Sequence, residues 1–435
     1  MMKIINSIQN GIRLGIEQAK EVKEADIELS SIHQYDYTAE DSGRLYRADN
    51  LSLMKKLIND GFSGKIKTIY IDPPFFSKTK YNAGLNIEYK SEKRLIKYKA
   101  YEDGIDDSLE SYISFMAARL ILMRELLSDD GTIWVHIDWH SSHYIRLLLD
   151  EIFGDKRFIN EIIWKYKSGG SSKKRFSRKH DSIFIYSKTD RYKLSIPKEK
   201  SYNRNLKPYK FKGVKEYEDD YGWYTLVNMK DVWSIDIVGR TSKERNGYAT
   251  QKPLELLERI IEVSSDEGDL CADFFCGSGS FLEASDKLNR KWIGCDNEKL
   301  ALSISKKRMG DNLSNFRFYK KTGESGEVGK LEFSHKGIKI SENDKKLMVC
   351  KLTKFIPNIN MENVSPKDKD LIETIIRDEP FSLVKYIMVD NDYSGEFRPE
   401  IVIGKADDEI KFFSKGNIKF VLVDIFGNEY EYEIY

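Results

Sequence analysis

The chain has 435 residues, enough for two or three domains and a sizeable core. Its 40% hydrophobic and 32% charged residues are those of an ordinary globular protein, and a net charge of +1 gives no whole-chain bias toward nucleic acid. The four cysteines, Cys271, Cys276, Cys295 and Cys350, form no CxxC pair and have no histidine at ligand spacing, which argues against a disulfide framework or a zinc site.

Buried reduced thiols are therefore expected, and no metal. The first twenty or so residues lack the apolar core of a signal peptide, and no stretch approaches the roughly 18 apolar residues of a membrane helix. A cytoplasmic protein without membrane contact is expected.

In chain order, residues 1–44 read as a polar helical arm. Arg44–Arg47 is a short strand, and Leu51–Ile58 a helix with Asn50 as its N-cap. Lys67–Ile71 is a buried strand, ended by Asp72-Pro73-Pro74 because proline cannot donate to a sheet ladder. Residues 76–107 are polar, contain Gly84 and Gly104, and read as a long loop. Ser108–Leu127 is a helix, Thr132–Asp138 a strand, Tyr144–Phe153 a helix stopped by Gly154, and Phe158–Tyr166 and Ser182–Tyr186 strands. This alternation predicts a parallel sheet with helices on its faces.

Residues 164–215 differ in character. They hold 17 Lys and Arg against three acids, with Tyr and Phe interleaved and Gly169-Gly170-Ser171-Ser172 as a flexible step. α/β grammar resumes at Gln251-Lys252-Pro253, with a helix over Leu254–Val263. A strand over Asp269–Phe275 leads into the tight loop Cys276-Gly277-Ser278-Gly279-Ser280, followed by a helix over Phe281–Leu288 and a strand over Trp292–Asp296. Residues after about 320 read as a separate β-rich module, with Ile401–Ile403 and Lys419–Val423 as its best strands.

Two strand-loop units carry chemistry. In the first, two prolines stiffen the backbone after Asp72 and leave a rim of acceptors, the Asp72 carboxylate and the following carbonyl, with the flat ring of Phe75 beside them. Such a rim suits an amine whose two protons must be held. In the second, a glycine turn between strand and helix lets backbone approach a ligand, at a helix N-terminus carrying partial positive charge. Asp296 ends the next strand about 20 residues later, where a carboxylate accepts from ribose hydroxyls.

Asp72-Pro73-Pro74-Phe75 followed by Phe274-Phe275-Cys276-Gly277-Ser278-Gly279-Ser280 resembles the amino-group DNA methyltransferases, with their D/N/S-P-P-Y/F/W and FxGxG motifs. The catalytic motif precedes the cofactor motif, which resembles the β-class arrangement. Gly247–Pro253, Gly131–Asp138 and His180–Lys188 look like further motifs of that class, and the resemblance covers about 45–310. It looks closest to type III modification subunits, with Val423–Asn428 as a weaker match. The two departures are Phe75, where Tyr is commoner, and Ser280, where Thr is.

The resemblance implies a Rossmann-like, S-adenosylmethionine-dependent α/β methyltransferase fold, permuted so that the catalytic half comes first. The expected parts are an arm (1–44), a catalytic half (45–165), a last core strand with a basic target-recognition region (166–250), a cofactor half (251–320) and a β-rich C-terminal domain (321–435). It implies methyl transfer to N6 of an adenine flipped out of duplex DNA. Asp72, Pro73, Pro74 and Phe75 would act on the base. Asp49, Asp72, Lys252, Pro253, Asp273, Phe274, Phe275, Gly277, Gly279, Ser280 and Asp296 would hold S-adenosylmethionine. Lys173, Lys174, Arg175 and Arg178 would meet DNA. A restriction subunit and a homodimer stay open as partners. The alternatives are N4-cytosine methylation, favoured by Ser rather than Asp at position 72, a decayed DNA-binding specificity subunit, and methylation of RNA or a protein amide.

Overall fold

A computed structural model describes residues 3–22, 29–35, 43–77, 80–102, 108–168, 172–239, 242–248, 250–312, 314–321, 329–339, 346–395, 397–404 and 409–435. Gly104, Gly169, Gly170, Ser171 and Ala249 lie outside the described residues.

Ten strands form one sheet: β1 (Leu29–Tyr35), β2 (Gly43–Arg47), β3 (Ile66–Ile71), β4 (Leu127–Ile137), β5 (Phe158–Lys165), β6 (His180–Ser187), β7 (Val232–Ser234), β8 (Leu270–Asp273), β9 (Lys291–Asp296) and β10 (Phe316–Lys321). Their order is β1-β10-β2-β9-β8-β3-β4-β6-β5-β7. From β10 to β4 the strands run parallel; β6 is antiparallel to both of its neighbours, and β1 to β10.

Side chains alternate across this sheet, so each face has its own core. Ile69, Ile71, Ile133 and Val135 pack on one side with α2 (Asn50–Asn59), α3 (Leu109–Leu126) and α4 (Ser142–Phe153). Tyr70, Trp134, Ile183 and Ile185 pack on the other with α5 (Leu254–Ser264), α6 (Ser280–Lys287) and α7 (Lys299–Asp311). The strand that matters most for function is β8. It comes late in the chain yet inserts beside β3, with Cys271 opposite Thr68 and Ala272 opposite Ile69. Both strands run the same way, so their C-terminal ends, which carry the two motifs, lie side by side.

Four expectations change. The arm is helical only over α1 (Lys3–Val22); Leu29–Tyr35 is instead the edge strand β1. Gly11 and Gly15 let α1 approach α3 closely, since a Cβ at Gly15 would lie 2.5 Å from that of Ala117. The cap of α2 is Asp49, whose side chain accepts from the Ser52 amide, and not Asn50. The region read as a loop holds an antiparallel hairpin, Lys80–Tyr89 with Glu92–Glu102. Its two-residue turn has Lys90 and Ser91, both at positive φ, in place of the Asn-Gly that would have marked it. Finally, the strand expected over Asp269–Phe275 stops at Asp273, and Phe274 and Phe275 belong to the turn.

Within residues 198–228 three short antiparallel strands form a separate sheet, ordered Glu216–Asp219, Gly222–Asn228, Lys198–Tyr202. After β10 come one sheet of three strands, one of four, and α8 (Lys369–Asp378). Ile87, Tyr89 and Ile96 of the hairpin share a core with this C-terminal part. All four cysteines are buried and unpaired. Among the described residues no helix is long and apolar enough to cross a membrane.

Candidate active site

Asp72-Pro73-Pro74-Phe75 leaves the end of β3 and is braced from below. The Tyr112 hydroxyl donates to the Pro74 carbonyl at 3.0 Å, and the Ser141 hydroxyl donates to the Phe75 carbonyl at 2.9 Å. Lys252 Nζ donates to Asp72 Oδ2 and lies 5.7 Å from the centre of the Phe75 ring. Asp72 Oδ1 is buried and has no hydrogen-bond partner among the described residues. A buried acceptor left unmade costs about 1–3 kcal/mol, so this orientation persists only because the surroundings impose it.

The neighbouring loop leaves β8 at Asp273, whose Oδ1 accepts from the Phe275 amide at 2.9 Å. Gly277 (φ +49°) and Gly279 (φ +74°) are both left-handed, and a Cβ at Gly279 would meet Ser305 Oγ at 2.8 Å. The Gly277 amide donates to Asp296 Oδ2 and the Glu298 amide to Asp296 Oδ1, each at 2.9 Å. Burial pushes the Asp273 carboxyl well above its ordinary range, with Asp72 and Asp296 adding to the rise, and burial also raises Asp296. Ser280 opens α6, and its hydroxyl accepts from Arg308 at 3.0 Å.

A third group ties α2 to this loop. Arg119 donates to Asp49 at 2.9 Å and to Asn50 Oδ1 at 2.6 Å, while Asn50 Nδ2 donates to the Phe274 carbonyl at 2.8 Å. Burial lowers the Arg119 guanidinium to about 10, opposed by Asp49.

Together these loops line a cavity of about 390 Å³, a size that suits a small organic ligand. Asp72, Pro73, Pro74 and Phe75 stand on its wall. So do Asp49 and Lys252, then Asp273, Phe274, Phe275, Gly277 and Ser280 from the glycine loop and its flanks, and Asp296 from the end of β9. Pro253 and Gly279 are not on the wall. Pro253 is the buried N-cap residue of α5, and Gly279 shapes the turn. Lys173, Lys174, Arg175 and Arg178 lie outside the cavity and are exposed; the Arg178 guanidinium covers the Trp139 ring at 3.3 Å. Sequence reasoning missed Tyr70, Phe115, Arg119 and Tyr248, which also line the cavity. Arg119 had a usable signal, as the one charge in the apolar run Ile113–Met123.

The wall suits S-adenosylmethionine. Its carboxylates complement a cationic ligand, and Asp296, with two amide donors, keeps lone pairs for ribose hydroxyls. The left-handed Gly277 leaves room for a ligand to approach the backbone there.

Residues 66–307, more than half of the chain, match the family model described as DNA methylase, for N6 and N4 methyltransferases. The chain is 32% identical to the type II methyltransferase M.EcaI of Enterobacter cloacae, over 60% of this chain and 68% of that one. It is 28% identical to the type II methyltransferase M2.LlaDCHI of Lactococcus lactis subsp. cremoris, over 63% and 91%. It is 25% identical to the type III EcoP15I Mod subunit of Escherichia coli, over 44% of this chain and 32% of that subunit. With its parallel sheet, glycine loop and acidic strand end in the permuted order, the chain belongs to the family of S-adenosylmethionine-dependent N6-adenine/N4-cytosine DNA methyltransferases.

Proposed function

We propose that this protein methylates N6 of adenine at specific sites in duplex DNA, as the modification activity of a restriction-modification system. The observation that carries the reading is Asp72. Lys252 holds one carboxylate oxygen, and the other is buried without a donor among the described residues, in a residue that shares the cavity wall with Phe75. An exocyclic amine brings the missing donor.

Asp72 Oδ1 accepts one amine proton and the Pro73 carbonyl the other, which draws the nitrogen lone pair out of ring conjugation. Phe75 stacks on the flipped base, offsetting the few kcal/mol that flipping costs. S-adenosylmethionine, when bound, supplies an electrophilic methyl carbon on a sulfonium sulfur. Asp296 holds the ribose, and Asp49 faces the methionine end. The backbone of Asp273, Phe274, Phe275 and Gly277 cradles the rest, with Ser280 and Lys252 flanking it; Gly279 acts by shaping the turn and Pro253 by starting α5. The proton shed by the methylated nitrogen passes to the Asp72 carboxylate. Catalysis is positioning and electrostatics. Lys173, Lys174, Arg175 and Arg178 contact phosphates or bases of the duplex.

N4 of cytosine carries the same two protons and is the alternative target. Asp72, where N4 enzymes more often have Ser, favours adenine. Similarity to type II methyltransferases and to a type III restriction-modification subunit supports the biological setting.

The test is Asp72→Ala. Transfer of labelled methyl groups from S-adenosylmethionine to DNA is expected to fall by about 10²–10³-fold or more, as when a preorganised transition-state contact is lost. Calorimetric affinity for S-adenosylmethionine should stay within about threefold, since Asp296 and the glycine loop remain. Near-normal turnover by the variant would reject the mechanism.

A further inference from the structure

A buried polar chain beneath the catalytic loop has no part in the mechanism above. The Tyr70 hydroxyl is 2.9 Å from His136 Nδ1, and His136 Nε2 is 3.3 Å from Asp181 Oδ2. The Tyr166 hydroxyl donates to Asp181 Oδ1 at 3.1 Å. These four residues come from β3, β4 and β6 and from the residue just after β5. Tyr70 and His136 are buried, and Asp181 is partly buried.

Asp181 is an acceptor, so Nε2 carries a proton; in the neutral ring Nδ1 then accepts from the Tyr70 hydroxyl. The imidazole is thereby fixed in orientation, with its centre 6.1 Å from the Phe75 ring and its plane edge-on to Trp164 at 5.2 Å. Tyr70 stands two residues before Asp72. Burial alone would raise the Asp181 carboxyl, but the His136 hydrogen bond, the nearby Lys252 and Tyr166 hold it below its ordinary value. Lys252 is the same lysine that pairs with Asp72. The chain therefore meets both halves of the catalytic motif: the Phe75 ring through His136, and the strand end bearing Asp72 through Tyr70.

We infer that Asp181 is a positioning residue for methyl transfer, acting through His136 and Tyr70 to set the Phe75 ring and the Asp72 carboxylate. This inference rests on the methyltransferase reading. A purely structural role, satisfying a buried histidine, would affect stability and leave the turnover of folded enzyme unchanged.

Asp181→Asn separates the two. Its amide fits best with nitrogen toward His136 Nε2, which moves the imidazole proton to Nδ1 and reverses the bond to Tyr70. Single-turnover kcat on unmodified genomic DNA is expected to fall about 10–100-fold, the usual effect of losing such a supporting partner. KM for DNA and for S-adenosylmethionine should stay within about threefold. Tyr70→Phe removes only the far hydroxyl and should lower kcat less, and the double variant should be no worse than Asp181→Asn alone. Nitrogen-15 NMR of His136 should show Nε2 protonated in the wild type. Wild-type kcat in folded Asp181→Asn, additive losses in the double variant, or Nδ1 protonation in the wild type would each overturn the inference. Should Asp181→Asn not fold, unchanged kcat in Tyr70→Phe overturns it equally. No transfer by the wild-type chain under these conditions would reject the methyltransferase reading and, with it, this inference.

Discussion

Asp72 and Lys252 are 180 positions apart in the chain, yet their ion pair occupies one carboxylate oxygen and leaves the other as the acceptor of the proposed mechanism. Two prolines after a strand made Asp72 legible as a held acceptor. The lysine was legible only as part of a motif, because its pairing depends on β8 lying beside β3, and no local pattern encodes that. The carboxylates that end β8 and β9 allow a further test. Asp273 and Asp296 are both raised by burial. A carboxyl raised in the fold binds more protons folded than unfolded. The free protein should therefore lose stability as pH rises from the ordinary carboxylate range through the raised values. A cationic ligand favours the ionised forms. Affinity for S-adenosylmethionine should weaken as pH falls through the raised range of these carboxyls, by up to about tenfold per unit for each proton taken up. Calorimetry showing an affinity independent of pH would contradict this.

At the scale of elements, strands of the central sheet were readable because β-branched runs end at glycine, proline or aspartate. The hairpin at 80–102 was not, because its turn is Lys90-Ser91 and its apolar side, Ile87 and Ile96, packs against a part of the chain far away in sequence. The edge strand β1 was missed for a related reason, since its partner among the described residues is β10, nearly three hundred residues later. The turn into α6 was readable from its glycines, and its geometry now sharpens the expectation. Gly279→Ala would place a methyl group 2.8 Å from Ser305 Oγ at a φ of +74°. A loss of about 1–3 kcal/mol is expected from strain and crowding together. Chemical denaturation should register it as a lower midpoint, and a variant as stable as the wild type would show that the turn tolerates a side chain.

Across the whole molecule, the two motif-bearing halves meet because late strands insert into an early sheet, and the order of motifs was the clue that they would. The basic segment was equally visible, as 17 cations against three acids over 164–215. Its members 173–175 and 178 are exposed, and Arg178 rests on Trp139, two residues before the Ser141 that holds the Phe75 carbonyl. Replacing Lys173, Lys174, Arg175 and Arg178 by glutamine should weaken DNA binding and flatten its salt dependence by about 3–4 units of logarithmic slope. An unchanged slope would remove this segment from the interface. The central claim is most directly tested by nucleoside mass spectrometry of unmodified DNA incubated with the purified protein and S-adenosylmethionine. N6-methyladenine is the expected product, appearing at a defined sequence. DNA that gains no methylated amine, or gains N4-methylcytosine in its place, would contradict the account.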